Sequence, residues 1–322
     1  MLYLNTKDIQ QMGIDWEQTI AYIEQAVNSF HEEDYAQPIK PYLRFRDPAI
    51  RIIAMPSFIG GDINAAGIKW ISSFPKNPQI GIQRAHSVTI LNETETGKPF
   101  AFINTALVSG IRTASVSGLV IQYFEKTRNR HNMTVGIVGF GPIGRLHLQM
   151  VHNLLGDRIN KIYLFDIKGI QSEFIPEDIK ERTVIAKSWE EAYLDSDLFI
   201  TCTVSSNGYI DKKPKDGALL LNVSLRDFKP SILEYTNAIY VDDWDEVCRE
   251  NTDIENMHLQ KGLQKEDTKS IADIVCFEDF SKNQTSEAVI FNPMGMSIFD
   301  LATATYYYRK ALDQGIGITL PE

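Results

Sequence analysis

The stretch Thr134–Leu155, TVGIVGFGPIGRLHLQMVHNLL, decides the fold. A short apolar run meets Gly139, Gly141 and Gly144 and then passes into a pattern with helical spacing. In such a turn the first glycine allows the tight bend. The second lets backbone approach a pyrophosphate, and the third lets helix and strand pack closely. Pro142 and Ile143 open the helix, whose first N–H groups and positive dipole end face the phosphates. A lone GxGxxG is a weak signal, because glycines often only make turns. Here the strand precedes, the helix follows, and Asp166 closes the next apolar run, KIYLFD, 22 residues after Gly144. An acid at that place accepts from both ribose hydroxyls of NAD and repels the 2′-phosphate of NADP. The expected cofactor is NAD, with Lys168 close by keeping NADP as the minor alternative.

Working outward, apolar runs alternate with helical ones. The runs TVGIVG, KIYLFD, LFITCTV, GALLLNVS, AIYVDD and EAVIFN alternate with helices that include Ile143–Leu155, Trp189–Leu194 and Ser297–Leu312. Continuous apolar strands separated by helices predict a parallel sheet covered on both faces. The fold class is α/β, with a Rossmann-type doubly wound domain over 114–295. The part before it, 1–113, reads as mixed α+β. Trp16, Ile20, Ile23 and Val27 have helical spacing, RIIAMPSF, AAGIKWISS and HSVTILN read as strands broken by Pro, Gly and Asn, and NETETGKP is a turn before the strand FAFINTA. The last helix, within 296–322, is expected to pack back on the first domain.

Composition limits the function classes. The chain has 322 residues, 43% of them hydrophobic, enough for two cores. It contains no apolar run long enough to span a membrane, and its start has no signal-peptide pattern. Three scattered cysteines fit a reducing cytoplasm, and six histidines without HxxxH or HExxH spacing argue against a metal. A net charge of −10 argues against nucleic acid. Between Lys40 and Arg84, however, seven basic residues meet only Asp47 and Asp62. That suits a small anionic ligand, although charge counts alone favour a solvated face.

Other positions have two readings each. Arg112 and Thr113 stand at a predicted helix start and are both expected at the cofactor. Arg112 either forks a carboxylate or phosphate or is a surface arginine at a cap, and position alone favours the cap. Lys69, between Ile68 and Trp70, points to the opposite face of a pleat, and solvent is the simpler expectation there. Asp227, in the polar end of LLLNVSLRDF, is either a base at the crevice beyond the strand ends or a turn aspartate. Thr203, Val204 and Ser205 end another strand and are expected near the cofactor. Asn292 and Gly295 are expected at the crevice, with Asp300 one turn into the last helix. His86 and His147 have no partner at readable spacing and are taken as structural.

SSFPKNP (Ser72–Pro78), IRTASVSG (Ile111–Gly118), VGFGPIG (Val138–Gly144), LNVSLRD (Leu221–Asp227) and FNPMGMSIFDLATA (Phe291–Ala304) occur in a familiar order. By that order and spacing the whole chain resembles the ornithine cyclodeaminase/μ-crystallin family. The resemblance implies a homodimer in which the N-terminal strands and the C-terminal helix form a substrate and dimerisation domain, and the other domain binds NAD. It implies substrate contacts at Lys69 and Arg112, a catalytic aspartate at Asp227, and an upstream substrate arginine at Arg44, with Arg46 and Arg51 as alternatives. Two departures stand out. Leu225 and Arg226 replace the glycines that precede the aspartate in cyclodeaminases, and NPMGMSIFD replaces KSLGMAxED. Both argue against ornithine cyclisation. They agree with the branch that oxidatively cleaves N-((2S)-2-amino-2-carboxyethyl)-L-glutamate to L-2,3-diaminopropionate and 2-oxoglutarate for siderophore or related secondary-metabolite biosynthesis. In that chemistry Asp227 takes the amine proton, and Asp227 or Lys69 activates the hydrolytic water. The alternatives are ornithine cyclodeaminase, alanine dehydrogenase, ketimine reductase, or a nucleotide-binding protein without turnover.

Overall fold

The computed structural model describes residues 1–321, which fall into two compact units. One is Met1–Ser115 with Met296–Glu322, the other Val116–Gly295, and the division lies inside the helix Leu107–Arg128. No helix among the described residues is long and apolar enough to cross a membrane.

The second unit is built on a parallel eight-stranded sheet. Its spatial order is Thr183–Ile185, Ile159–Phe165, Met133–Val138, Leu198–Thr201, Leu219–Asn222, Val289–Asn292, Ala238–Val241, Lys269–Ser270. From Met133–Val138 the chain builds toward one edge through two strands, then returns to the other side at Leu198–Thr201. This reversal is the switch point at which open α/β sheets form their ligand crevice. The central strands LFIT, LLLN, AIYV and VIFN are fully buried, because a parallel sheet is covered on both faces. Phe199, Leu220, Ile239 and Ile290 meet Tyr193, Phe228 and Ile254 in one core. The short strands Thr183–Ile185 and Lys269–Ser270 carry too few residues to show a period in the sequence.

The first unit carries a mixed sheet in the order Ile318–Thr319, Leu2–Asn5, Pro99–Asn104, Ala85–Asn92, Ala65–Ser73, Asp47–Ile59, Tyr35–Ala36, with Tyr42–Phe45 also paired to Asp47–Ile59. Only Leu2–Asn5 and Pro99–Asn104 run parallel. RIIAMPSF does not break at its proline. Pro56 lies inside the strand opposite Ile68, and on its other side pairing stops at Ile53 and resumes at Phe58. A missing N–H costs nothing at such a gap. The helix Trp16–His31 starts at Asp15, whose side chain accepts from Gln18 N, and buries Trp16, Ile20, Ile23 and Val27. It packs with the helix Ser297–Gln314, which also covers the strands Asp47–Ile59, Ala65–Ser73 and Ala85–Asn92.

Candidate active site

In the second unit the glycine turn is shaped by close approach. Gly139 has φ +90, and a Cβ there would lie 2.5 Å from the Cys202 carbonyl carbon. A Cβ on Gly144 would stand 2.0 Å from the Gly139 oxygen, so helix and turn can pack only with glycine. At Gly141 an added Cβ would meet nothing within 4 Å. The open side of the turn has room for a cofactor phosphate. Gly141 caps the helix Pro142–Leu155 without any side-chain hydrogen bond, which leaves the N–H groups of that first turn for an anion. Asp166 accepts from Phe140 N at 2.7 Å and Lys168 N at 2.8 Å, so its carboxylate also holds the turn.

Asp227 is fully buried in the same unit. Its Oδ1 accepts from Thr203 Oγ1 at 2.5 Å, and its Oδ2 accepts from Ser224 Oγ. Thr203 also accepts from Ser205 N at 3.1 Å, while Val204 is 65% exposed. Asn292 is buried away from solvent, accepting from Asn222 Nδ2 and donating to the Tyr240 carbonyl. Gly295 has φ +87 and donates to Asp242 at 2.6 Å. Burial lowers His147 to about 4, and its ring lies 2.9 Å from Ser117 Oγ and 2.8 Å from the Ile143 carbonyl. It is a neutral packing histidine.

The first unit gathers the cations, and two simpler expectations fail there. Lys69 does not face solvent. It is 2% exposed, and its neighbour Trp70 is the exposed one. The reason is the helix Ser297–Gln314, which covers the Lys69 face of the strand. Arg112 is not at a helix start either, because the helix begins at Leu107 and buries it to 8% exposure. Thr113, in the same turn, donates to the Ser109 carbonyl at 2.8 Å.

Both cations meet Asp300, which the sequence flagged only by position. Lys69 Nζ donates to Asp300 Oδ2 at 2.6 Å and to Ser109 Oγ at 3.3 Å, and Arg112 Nε donates to Asp300 Oδ1 at 2.8 Å. The two terminal nitrogens of Arg112 have no partner among the described residues. Burial would raise the Asp300 carboxyl, but Arg112 and Lys69 hold it below its usual value. For Lys69 burial wins: the ammonium drops to about 7 despite Asp300, with Arg112 and Lys40 pushing the same way. Lys40 is also buried, at 5% exposure. Arg44 and Arg46 are exposed and Arg51 is half-buried, and the guanidinium carbons of Arg44 and Arg51 lie 5.0 and 5.6 Å from the centre of the Tyr42 ring. Sequence reasoning missed Lys40. The basic run pointed to its neighbourhood without separating it from the arginines.

Residues 4–315 match the profile of the ornithine cyclodeaminase/mu-crystallin family. The chain is 34% identical to N-((2S)-2-amino-2-carboxyethyl)-L-glutamate dehydrogenase of Staphylococcus aureus, over 99% of this chain and 98% of that one. The solved structure of Thermococcus litoralis Delta(1)-pyrroline-2-carboxylate reductase in complex with NADH and L-proline superposes with TM-score 0.86. It is 24% identical and covers 99% of this chain and 100% of the other. An archaeal alanine dehydrogenase dimer with bound NAD gives 0.84, at 22% identity over 100% and 99%. Both share the fold.

Proposed function

The chain belongs to the ornithine cyclodeaminase/mu-crystallin family, and from that premise we propose the NAD-dependent oxidative cleavage of N-((2S)-2-amino-2-carboxyethyl)-L-glutamate to L-2,3-diaminopropionate and 2-oxoglutarate. The general class is oxidoreduction at an amino-acid C–N bond with NAD, and the 34% relative supports the particular substrate. The diamine then serves siderophore or related secondary-metabolite biosynthesis, and the working form is a homodimer, as in the alanine dehydrogenase structure.

One observation carries the reading. Arg112 spends only Nε on Asp300, and its terminal nitrogens remain for a carboxylate. A guanidinium fork matches that planar group with two parallel hydrogen bonds. Lys40, buried in the same unit, adds positive charge for a further carboxylate of the tri-acid. Two such contacts fix orientation, which supplies a large part of the rate.

The cofactor fits the glycine turn. Gly139, Gly141 and Gly144 with the N–H groups of Ile143 and Gly144 would take the pyrophosphate, Asp166 the ribose, and the loop of Thr203, Val204 and Ser205 the nicotinamide end. Bound NAD⁺ supplies a hydride acceptor for the glutamyl Cα–H. The substrate nitrogen must lose its proton first, and Asp227 takes it. Thr203 and Ser224 hold that carboxylate by one oxygen each, leaving a further lone pair on both. Lys69 is held near 7, so its neutral form accepts the proton of the water that adds to the substrate imine. Collapse releases the amine and the oxo acid, and one water is consumed for each hydride transferred.

The test is anaerobic incubation with NAD⁺ and the substituted glutamate, following NADH absorbance and identifying products by mass spectrometry. The expected result is NADH, 2-oxoglutarate and L-2,3-diaminopropionate in equal amounts. Release of ammonia and proline from ornithine without net NADH would instead identify a cyclodeaminase.

A further inference from the structure

We propose that Asp253 is a positioning residue for the reaction: it pins a strained turn and so aims the Asp227 carboxylate. The inference rests on the reading of Asp227 as the base. Leu225 adopts the left-handed backbone, φ +61. Branched residues avoid that region, so something outside the turn must hold it.

The holder is Asp253, the first residue of the helix Asp253–Lys261. Its Oδ2 accepts from Asp227 N, Phe228 N and Asn222 Nδ2, each at 2.9 Å. Its own N–H donates to the Leu225 carbonyl at 2.8 Å, and Leu225 N donates to Asn222 Oδ1 at 3.2 Å. The turn is thus tied at both ends to one carboxylate 1% exposed to solvent. Burying a carboxylate is costly, and burial raises this one to about 6. Three donors converging on one oxygen, two of them the backbone of the base and its neighbour, specify orientation.

The test compares Asp253→Asn, Asp253→Ala and Asp253→Ala with Leu225→Gly, in the full chain. Amide hydrogen exchange at Asp227 and Phe228 is read beside kcat, KM and NADH affinity. In Asp253→Ala both amides are expected to exchange faster and kcat to fall about 100-fold, with KM and NADH affinity within about threefold of the parent. Asp253→Asn keeps an acceptor oxygen at the same place and should stay within about tenfold in kcat. Glycine at 225 removes the strain, so the double variant folds even if Asp253→Ala does not, and where both fold it recovers about tenfold in kcat.

Unchanged exchange at Asp227 and Phe228 in either alanine variant overturns the proposal, whatever the enzyme turns over. So does a defect carried wholly by KM or NADH affinity. Absence of turnover in the parent protein strikes the reading of Asp227 instead, and the exchange data still decide whether Asp253 holds the turn.

Discussion

The ammonium of Lys69 lies 2.6 Å from Asp300 Oδ2, yet burial outweighs that attraction and brings the lysine down to about 7. Asp300 is what raises it, so Asp300→Asn lowers it further, by about 1–3 pH units. The neutral fraction of Lys69 grows as pH rises through its pKa. An activity limb near neutral pH is therefore expected in the parent, and a limb displaced to acid in Asp300→Asn. A pH profile of kcat at saturating NAD⁺ checks this, and a displacement toward alkali would contradict it.

Arg112 is expected to act through substrate affinity. Arg112→Lys keeps the charge but loses the fork, and Arg112→Met loses both. Losing a charged hydrogen-bonded contact costs about 1.5–3 kcal/mol, or roughly 10- to 100-fold in kcat/KM. Steady-state kinetics should show the larger loss in Arg112→Met. NADH affinity, measured by nucleotide fluorescence, should stay close to that of the parent in both.

The glycine turn separates space for the fold from space for the cofactor. Gly141 has φ −71 and an open side, so Gly141→Ala should fold with unchanged Tm while NADH affinity falls at least about tenfold. Gly144→Ala drives a methyl into the Gly139 carbonyl and should lower Tm as well. Equal NADH binding by the parent and Gly141→Ala would remove the phosphate from this turn.

Asp253 couples the turn to stability. Its folded value, about 6, lies above the ordinary 3.8, so the folded chain binds the extra proton between those limits. The stability this provides is complete below about 4 and lost as pH rises through about 6. Asp253→Asn has no such loss. Relative to the parent it should gain up to about 3 kcal/mol between pH 4 and pH 7 in urea titrations. Asp227 and the Tyr209 phenol interact with Asp253, and both side chains are retained in this variant.

The parallel sheet was legible because continuous apolar strands and three glycines report local constraints. The cation site was not. Alternation placed Lys69 and Trp70 on opposite faces but could not say which face is covered, since the covering helix arrives 231 residues later with Asp300. Arg112 read as a cap because the residues before it, ALVSGI, are small or apolar and show no clear start signal. Asp253 gave no signal at all: its role depends on backbone N–H groups 25 and 26 residues earlier in the chain.

The most direct measurement uses substrate deuterated at the glutamyl Cα. Slower turnover is expected, with one deuterium on the nicotinamide ring of the NADH formed and none in the diaminopropionate. NADH without deuterium, or no NADH from this substrate, would contradict the proposed reaction.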